Sequence, residues 1–171
     1  MSLYKIRNFI IAVILIIAAF IMQNTIISRI PGLGCAPDII LVIAFVYGYK
    51  NGRISGMLIG FFGGLITDVF FCDYIGYNAL ILLIIGFISG IWNTFFYSDD
   101  LYIPLLLLTG SDLLMCLINY VFQHLLQARF DFVYYLVHSI LPEFLMTFIV
   151  GVILYKPLSA LLERLKYIPE D

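Results

Sequence analysis

Charge is scarce in this chain. Asp, Glu, Lys and Arg make up 12% of the residues, about half the share of an ordinary soluble domain. A net charge of −2 points to neither nucleic acid nor an acidic substrate. Cysteine is sparse too: Cys35, Cys72 and Cys116 form no CxxC pair and no even framework, which argues against a zinc site or a disulfide scaffold. They read as apolar filler, with a Cys35–Cys72 bridge left open. Histidine occurs twice, at His124 and His138, and no HExxH, GxSxG or SxxK string is present. Thr109-Gly110-Ser111-Asp112 lacks the GxGD turn of an intramembrane aspartyl protease. These gaps point away from catalysis and from any cofactor or metal. Low-complexity segments and clear internal repeats are also missing.

Apolar residues fill the space. They account for 63% of the 171 residues, and the mean hydropathy is +1.08. A membrane span takes about 20 residues. Six would consume about 120 and leave no room for an extramembrane domain. The runs predict spans over Phe9–Ile27, Asp38–Tyr49, Ile54–Cys72, Ile75–Tyr97, Leu101–Gln123 and Val133–Tyr155. Turn chemistry separates them at Pro31-Gly32, Lys50-Asn51-Gly52-Arg53, Asp73-Tyr74 and Ser98-Asp99-Asp100. Lys5 and Arg7 before the first run suggest the start of a signal peptide, but no small-residue cleavage site follows, so that run is read as a retained span. The expected fold is an all-α membrane protein, a compact bundle of six transmembrane helices over residues 1–155.

Orientation follows from basic residues. With the N-terminus inside, Lys5, Arg7, Lys50, Arg53, Lys156, Arg164 and Lys166 are cytoplasmic, and only Arg29 and Arg129 face out. This predicts both termini inside, and it requires the short second run to cross. Aromatic residues such as Tyr47, Tyr49, Phe70, Phe71, Tyr97 and Tyr155 cluster at the proposed boundaries. In the tail, 156–171, Pro157 is placed to open a helix with Leu158, Leu161, Leu162 and Leu165 on one stripe. That pattern predicts a short amphipathic helix lying on the inner membrane surface, serving as an anchor or as a partner site.

Gly52, Gly56, Gly60, Gly64 and Asp68 recur at every fourth position of the third run. They form one helix face on which another backbone can come very close, the main route to association in lipid. The ridge has two uses: packing inside this bundle, against Gly86 and Gly90 at the same step, or receiving another protein's helix. Asp68 lies about 22 Å from Arg53 along the helix. Asp112 and Glu143 fall about 16 Å into their spans, near the midplane. Each central acid costs about 2.5–3.5 kcal/mol to insert, so each is a candidate for function. They suit a proton-coupled pair, a polar ligand pocket, or plain interhelical hydrogen bonding. Pro142 frees a backbone carbonyl beside Glu143. His138 falls at about the depth of Asp68 and is a candidate partner for it. Asp38, directly after Pro37, reads as a helix cap.

Pro37-Asp38-Ile39-Ile40-Leu41-Val42, then Gly52-Arg53 and the Gly56, Gly60, Gly64, Leu65, Asp68 series, resemble the bacterial rod shape-determining protein family MreD. The match is best over about residues 37–90. The resemblance implies a non-enzymatic inner-membrane component of the cell-elongation machinery. It implies work with MreC, the actin-like MreB, the glycosyltransferase RodA and a penicillin-binding transpeptidase in lateral wall synthesis. It also implies a fold similar to the substrate-binding subunits of energy-coupling-factor vitamin transporters. On this reading the single transmembrane helix of MreC is expected to dock near the third-span ridge. The alternative is a substrate-binding subunit of a small-molecule, vitamin-type membrane transporter. A third reading, a proton-coupled channel or carrier, requires Asp112 and Glu143 to titrate.

Overall fold

A computed structural model describes residues 3–27, 37–71, 75–95, 102–122 and 140–166. His138, His124, Cys35, Arg29 and Arg129, all singled out above, lie outside these residues. The described residues form six α-helices and no strand: α1 (Leu3–Ile21), α2 (Ile39–Asn51), α3 (Arg53–Phe71), α4 (Tyr77–Phe95), α5 (Tyr102–Tyr120) and α6 (Leu141–Lys166). A π-helical stretch, Met22–Ile27, extends α1. Of these, α3, α5 and α6 are long and apolar enough to cross a membrane, while the apolar parts of α1, α2 and α4 are shorter.

The shortest helix sits at the centre. Every side chain of α2 from Ile39 to Tyr49 is buried, as a helix that is apolar all round should be. The other five helices all pack against it. Lys50 alone of its last turn is basic, and it reaches out of the core to Glu163 of α6 at 2.6 Å. Gly52 ends α2 with φ of +92°, a conformation that favours glycine, and its N–H donates to the Gly48 carbonyl at 2.9 Å. The chain then turns directly into α3. Gly52 therefore belongs to the turn, and the helical ridge starts at Gly56.

Outside the core the polarity is inverted. Leu58, Phe62, Val69 and Phe70 of α3, Leu106, Leu113 and Leu117 of α5, and Leu145, Ile149 and Ile153 of α6 are exposed. Four polar side chains, Asp68, Ser89, Asp112 and Thr147, are buried among the described residues. An apolar exterior around a polar-spotted interior suits hydrocarbon as solvent.

The end of α6 corrects one expectation. The helix runs on through Pro157 to Lys166 instead of restarting there. Leu158 and Leu162 are buried in the main core beside Tyr155, while Leu161 of the same stripe is exposed, so two of its leucines pack into the bundle. A proline removes only one amide from the helical ladder, and neighbouring helices can hold such a helix together.

Candidate functional site

Backbone fills the glycine ridge. A Cβ added to Gly56 would meet the Gly86 carbonyl oxygen, and would stand 2.6 Å from the Gly48 Cα. One added at Gly60 would meet the carbonyl of Leu82, and one at Gly64 would lie 2.6 Å from the Ala79 nitrogen. Such distances are far inside van der Waals contact, so α3 and α4 run antiparallel with no room for a methyl group between them. Gly90 completes the seam against the Cα of Arg53. The docking of a foreign helix on this face is thereby corrected: α4 occupies it. The periodicity showed that something must approach closely, and the same four-residue step at Gly86 and Gly90 is the sequence signal for α4. Sequence reasoning missed Gly48 of α2, which joins the crossing from a third side; its signal is a lone glycine in an otherwise bulky run.

Asp68 ends the seam as a cap for the next helix. The first N–H groups of a helix lack intrahelical partners. Asp68 Oδ2 accepts from the N–H groups of Gly76 and Ala79, each at 3.0 Å, and Oδ1 accepts from Asn78 N–H at 3.0 Å. Its negative charge also faces the positive end of the α4 dipole. Gly76, with φ of +102°, makes the turn that brings those amides round. This costly acid has a structural use, and α4 supplies its partners.

A second polar centre lies where α2 begins. Asp38 is the N-cap, with Oδ1 accepting from Leu41 N–H at 3.1 Å. Gln23 of the π-helical stretch reaches across, and its Oε1 accepts from the N–H groups of Ile39 at 3.2 Å and Ile40 at 3.4 Å. From α6, the Thr147 hydroxyl accepts from Asp38 N–H at 3.2 Å and donates to the Glu143 carbonyl at 2.9 Å. Neither Gln23 nor Thr147 stood out in the sequence, because a Gln or Thr inside a span is unremarkable until its partner is known. Asp112 of α5 is 2% exposed, and its Oδ2 has no hydrogen-bond partner. Glu143 is half-buried. Leu108 of α5 and Val42 of α2 both come within 4 Å of the Cβ position of Gly151 on α6. Asp112, Asp38 and Thr147 stand one turn on along the same three helices, and Thr147 links Asp38 to the Glu143 turn, so Asp38, Asp112 and Glu143 share this end of the bundle, while Asp68 serves α4 separately. Among the described residues, no group of His, Cys, Asp and Glu is placed to hold a metal ion.

This geometry is that of a membrane bundle closed on itself, with one glycine-packed core unit and one polar centre. A family model for the rod shape-determining protein MreD matches residues 4–165 of the chain. The chain belongs to the MreD family. No curated protein and no solved structure matches it. MreD is a family of membrane proteins with a role in rod-shape determination, and it is not a known enzyme family. Within the matched residues, α2, α3 and α4 form the unit in which Gly48, Gly56 and Gly86 meet. In this MreD-family chain Gly56, Gly60, Gly64 and Asp68 therefore lie in the buried seam.

Proposed function

We propose that this chain is a non-enzymatic scaffold of the bacterial cell-elongation machinery in the inner membrane. All six helices span, with both termini inside, and partner transmembrane helices bind the bundle. MreC is the first such partner, with MreB, RodA and a penicillin-binding transpeptidase in the same assembly. The observation that carries this reading is the family match over residues 4–165. Two features of the bundle support it. Lys50 meets Glu163 at one end of the bundle, where Arg53 opens α3 and Arg164 lies near the end of α6, and basic residues gathered at one end favour the cytoplasm. The exposed apolar side chains of α3, α5 and α6 offer outer faces to partner helices, since the glycine seam is already filled.

The test is depletion in the rod-shaped host together with co-purification. Cells are expected to round up as the chain is lost, and MreC is expected to co-purify with the tagged chain from mild detergent. Normal rods after depletion refute the role, and loss of shape without MreC association refutes the scaffold mechanism.

A further inference from the structure

The polar centre at the start of α2 is unbalanced. Four of its backbone N–H groups are already committed: Gln23 Oε1 takes the amides of Ile39 and Ile40, Asp38 Oδ1 takes that of Leu41, and Thr147 takes that of Asp38. Among the described residues no donor meets the buried Oδ2 of Asp112. An unmet buried carboxyl oxygen carries its full desolvation penalty. Two of the acids, Asp38 and Glu143, are also tied together through the backbone, because Thr147 joins the first turn of α2 to the Glu143 turn of α6.

The facing elements bring no compensating charge among the described side chains. Residues 10–25 on the α1 side contain no Lys, Arg or His, and neither do α4 (described side chains 77–92) and α5. Lys50 of α2 and Lys156 of α6 are roughly 18–20 Å along their helices from Asp38 and Glu143. Arg53 of α3 sits beside Gly90, and Arg164 lies beyond Lys156, both toward that same far end. Both oxygens of Asp68 are taken by amides at the start of α4. The dipole at the start of α2 supplies only about half a positive charge. No described acid group is clustered tightly enough for a metal ion. A guanidinium group, with five N–H donors in a planar fork, can span carboxyls that a bare ion cannot draw together.

We infer that Asp38, Asp112 and Glu143 form a binding site for one organic cation that carries N–H donors, a guanidinium or a primary ammonium, anchored on Asp112 Oδ2. The site is independent of the scaffold role. The same group can arrive on a free small molecule or on a basic side chain of a partner's transmembrane helix.

Thermal unfolding of the purified full-length chain in detergent tests this, with methylguanidinium as the probe. Tetramethylammonium at equal ionic strength is the control, having the same charge and no N–H donor. Methylguanidinium is expected to raise the midpoint saturably, and tetramethylammonium is not. Asp112→Asn is expected to weaken the apparent affinity by roughly tenfold or more, as loss of a charge-assisted hydrogen bond does. Equal responses to both cations, a full response in Asp112→Asn, or no response to either cation because protons alone neutralise the acids overturns the inference. If Asp112→Asn does not insert, Glu143→Gln carries the test, and an undiminished methylguanidinium response there overturns it equally. Probe binding blocked by a co-purified partner, and restored when that partner's membrane-buried basic residue becomes leucine, assigns the natural cation to the partner. Unblocked binding, with a small amine in the native mass spectrum, assigns it to solution.

Discussion

Replacing Gly60 by alanine should destabilise the bundle, although alanine is the better helix former. The new Cβ would press on the Leu82 carbonyl, 2.6 Å from its carbon, and stand 3.1 Å from the Leu83 nitrogen. These are helix backbone atoms and cannot swing aside. Restoring a normal carbon contact of about 3.5 Å requires α4 to retreat by about 1 Å. That retreat also opens the contacts of Gly56 with Gly86 and of Gly64 with Ala79, because one rigid helix forms all three. Overpacking of this kind costs about 1–3 kcal/mol, whereas removing a helix-interior glycine gains about 0.8–1 kcal/mol. The net effect should be a loss of up to about 2 kcal/mol. Gly110 of α5 is the control, since a Cβ there meets nothing within 4 Å. Gly110→Ala should be neutral or stabilising by up to about 1 kcal/mol. Reversible unfolding of both variants in mixed micelles with rising dodecyl sulfate, followed by circular dichroism, measures the difference. A Gly60→Ala protein as stable as Gly110→Ala would refute the seam.

Asp68→Ala should cost more, on the order of 3 kcal/mol, because it strands amides that one carboxylate now satisfies; unchanged hydrogen-exchange protection at Asn78 and Ala79 would contradict this. Thr147→Val keeps the shape but removes the acceptor for Asp38 N–H, so a loss of about 1–3 kcal/mol is expected in the same unfolding assay, and a neutral result would show that bond to be dispensable. Glu163→Gln should change stability by less than about 1 kcal/mol, since Glu163 is 56% exposed and its pair with Lys50 is screened by salt; a loss above about 2 kcal/mol would mean that the pair fixes the end of α6.

Much of the fold was legible because hydrocarbon imposes simple rules. The apolar runs located α2 to α5 to within a few residues, whereas α1 begins at Leu3 rather than Phe9 and α6 runs to Lys166 rather than Tyr155; Pro37-Asp38 marked the start of α2 where the cap is found. The four-residue glycine step announced a close approach. The matching step at Gly86 and Gly90 pointed to α4, but the residue-by-residue pairings beyond it could not be read. Gly60 carries no side chain whose chemistry selects Leu82, and Asp68 gives no sign that its donors lie eight to eleven residues ahead. Pro157 was misleading for another reason: local propensity favours a break there, and burial of Tyr155, Leu158 and Leu162 overrides it. Of the carboxyl centre, Asp112 and Glu143 were legible as a candidate pair at similar depth, but Asp38 read only as a helix cap, since its neighbours come from other helices.

The bond from Asp38 to Thr147 joins residues 109 positions apart, and its acceptor lies on α6, the last of the described helices to leave the ribosome. Until then the Asp38 N–H lacks this acceptor and one flank of the nascent α2 is uncovered. Biogenesis of this molecule therefore cannot finish helix by helix. The final segment acts as a keystone, and a chain cut short before it exposes to quality-control proteases an intermediate whose innermost helix is still open.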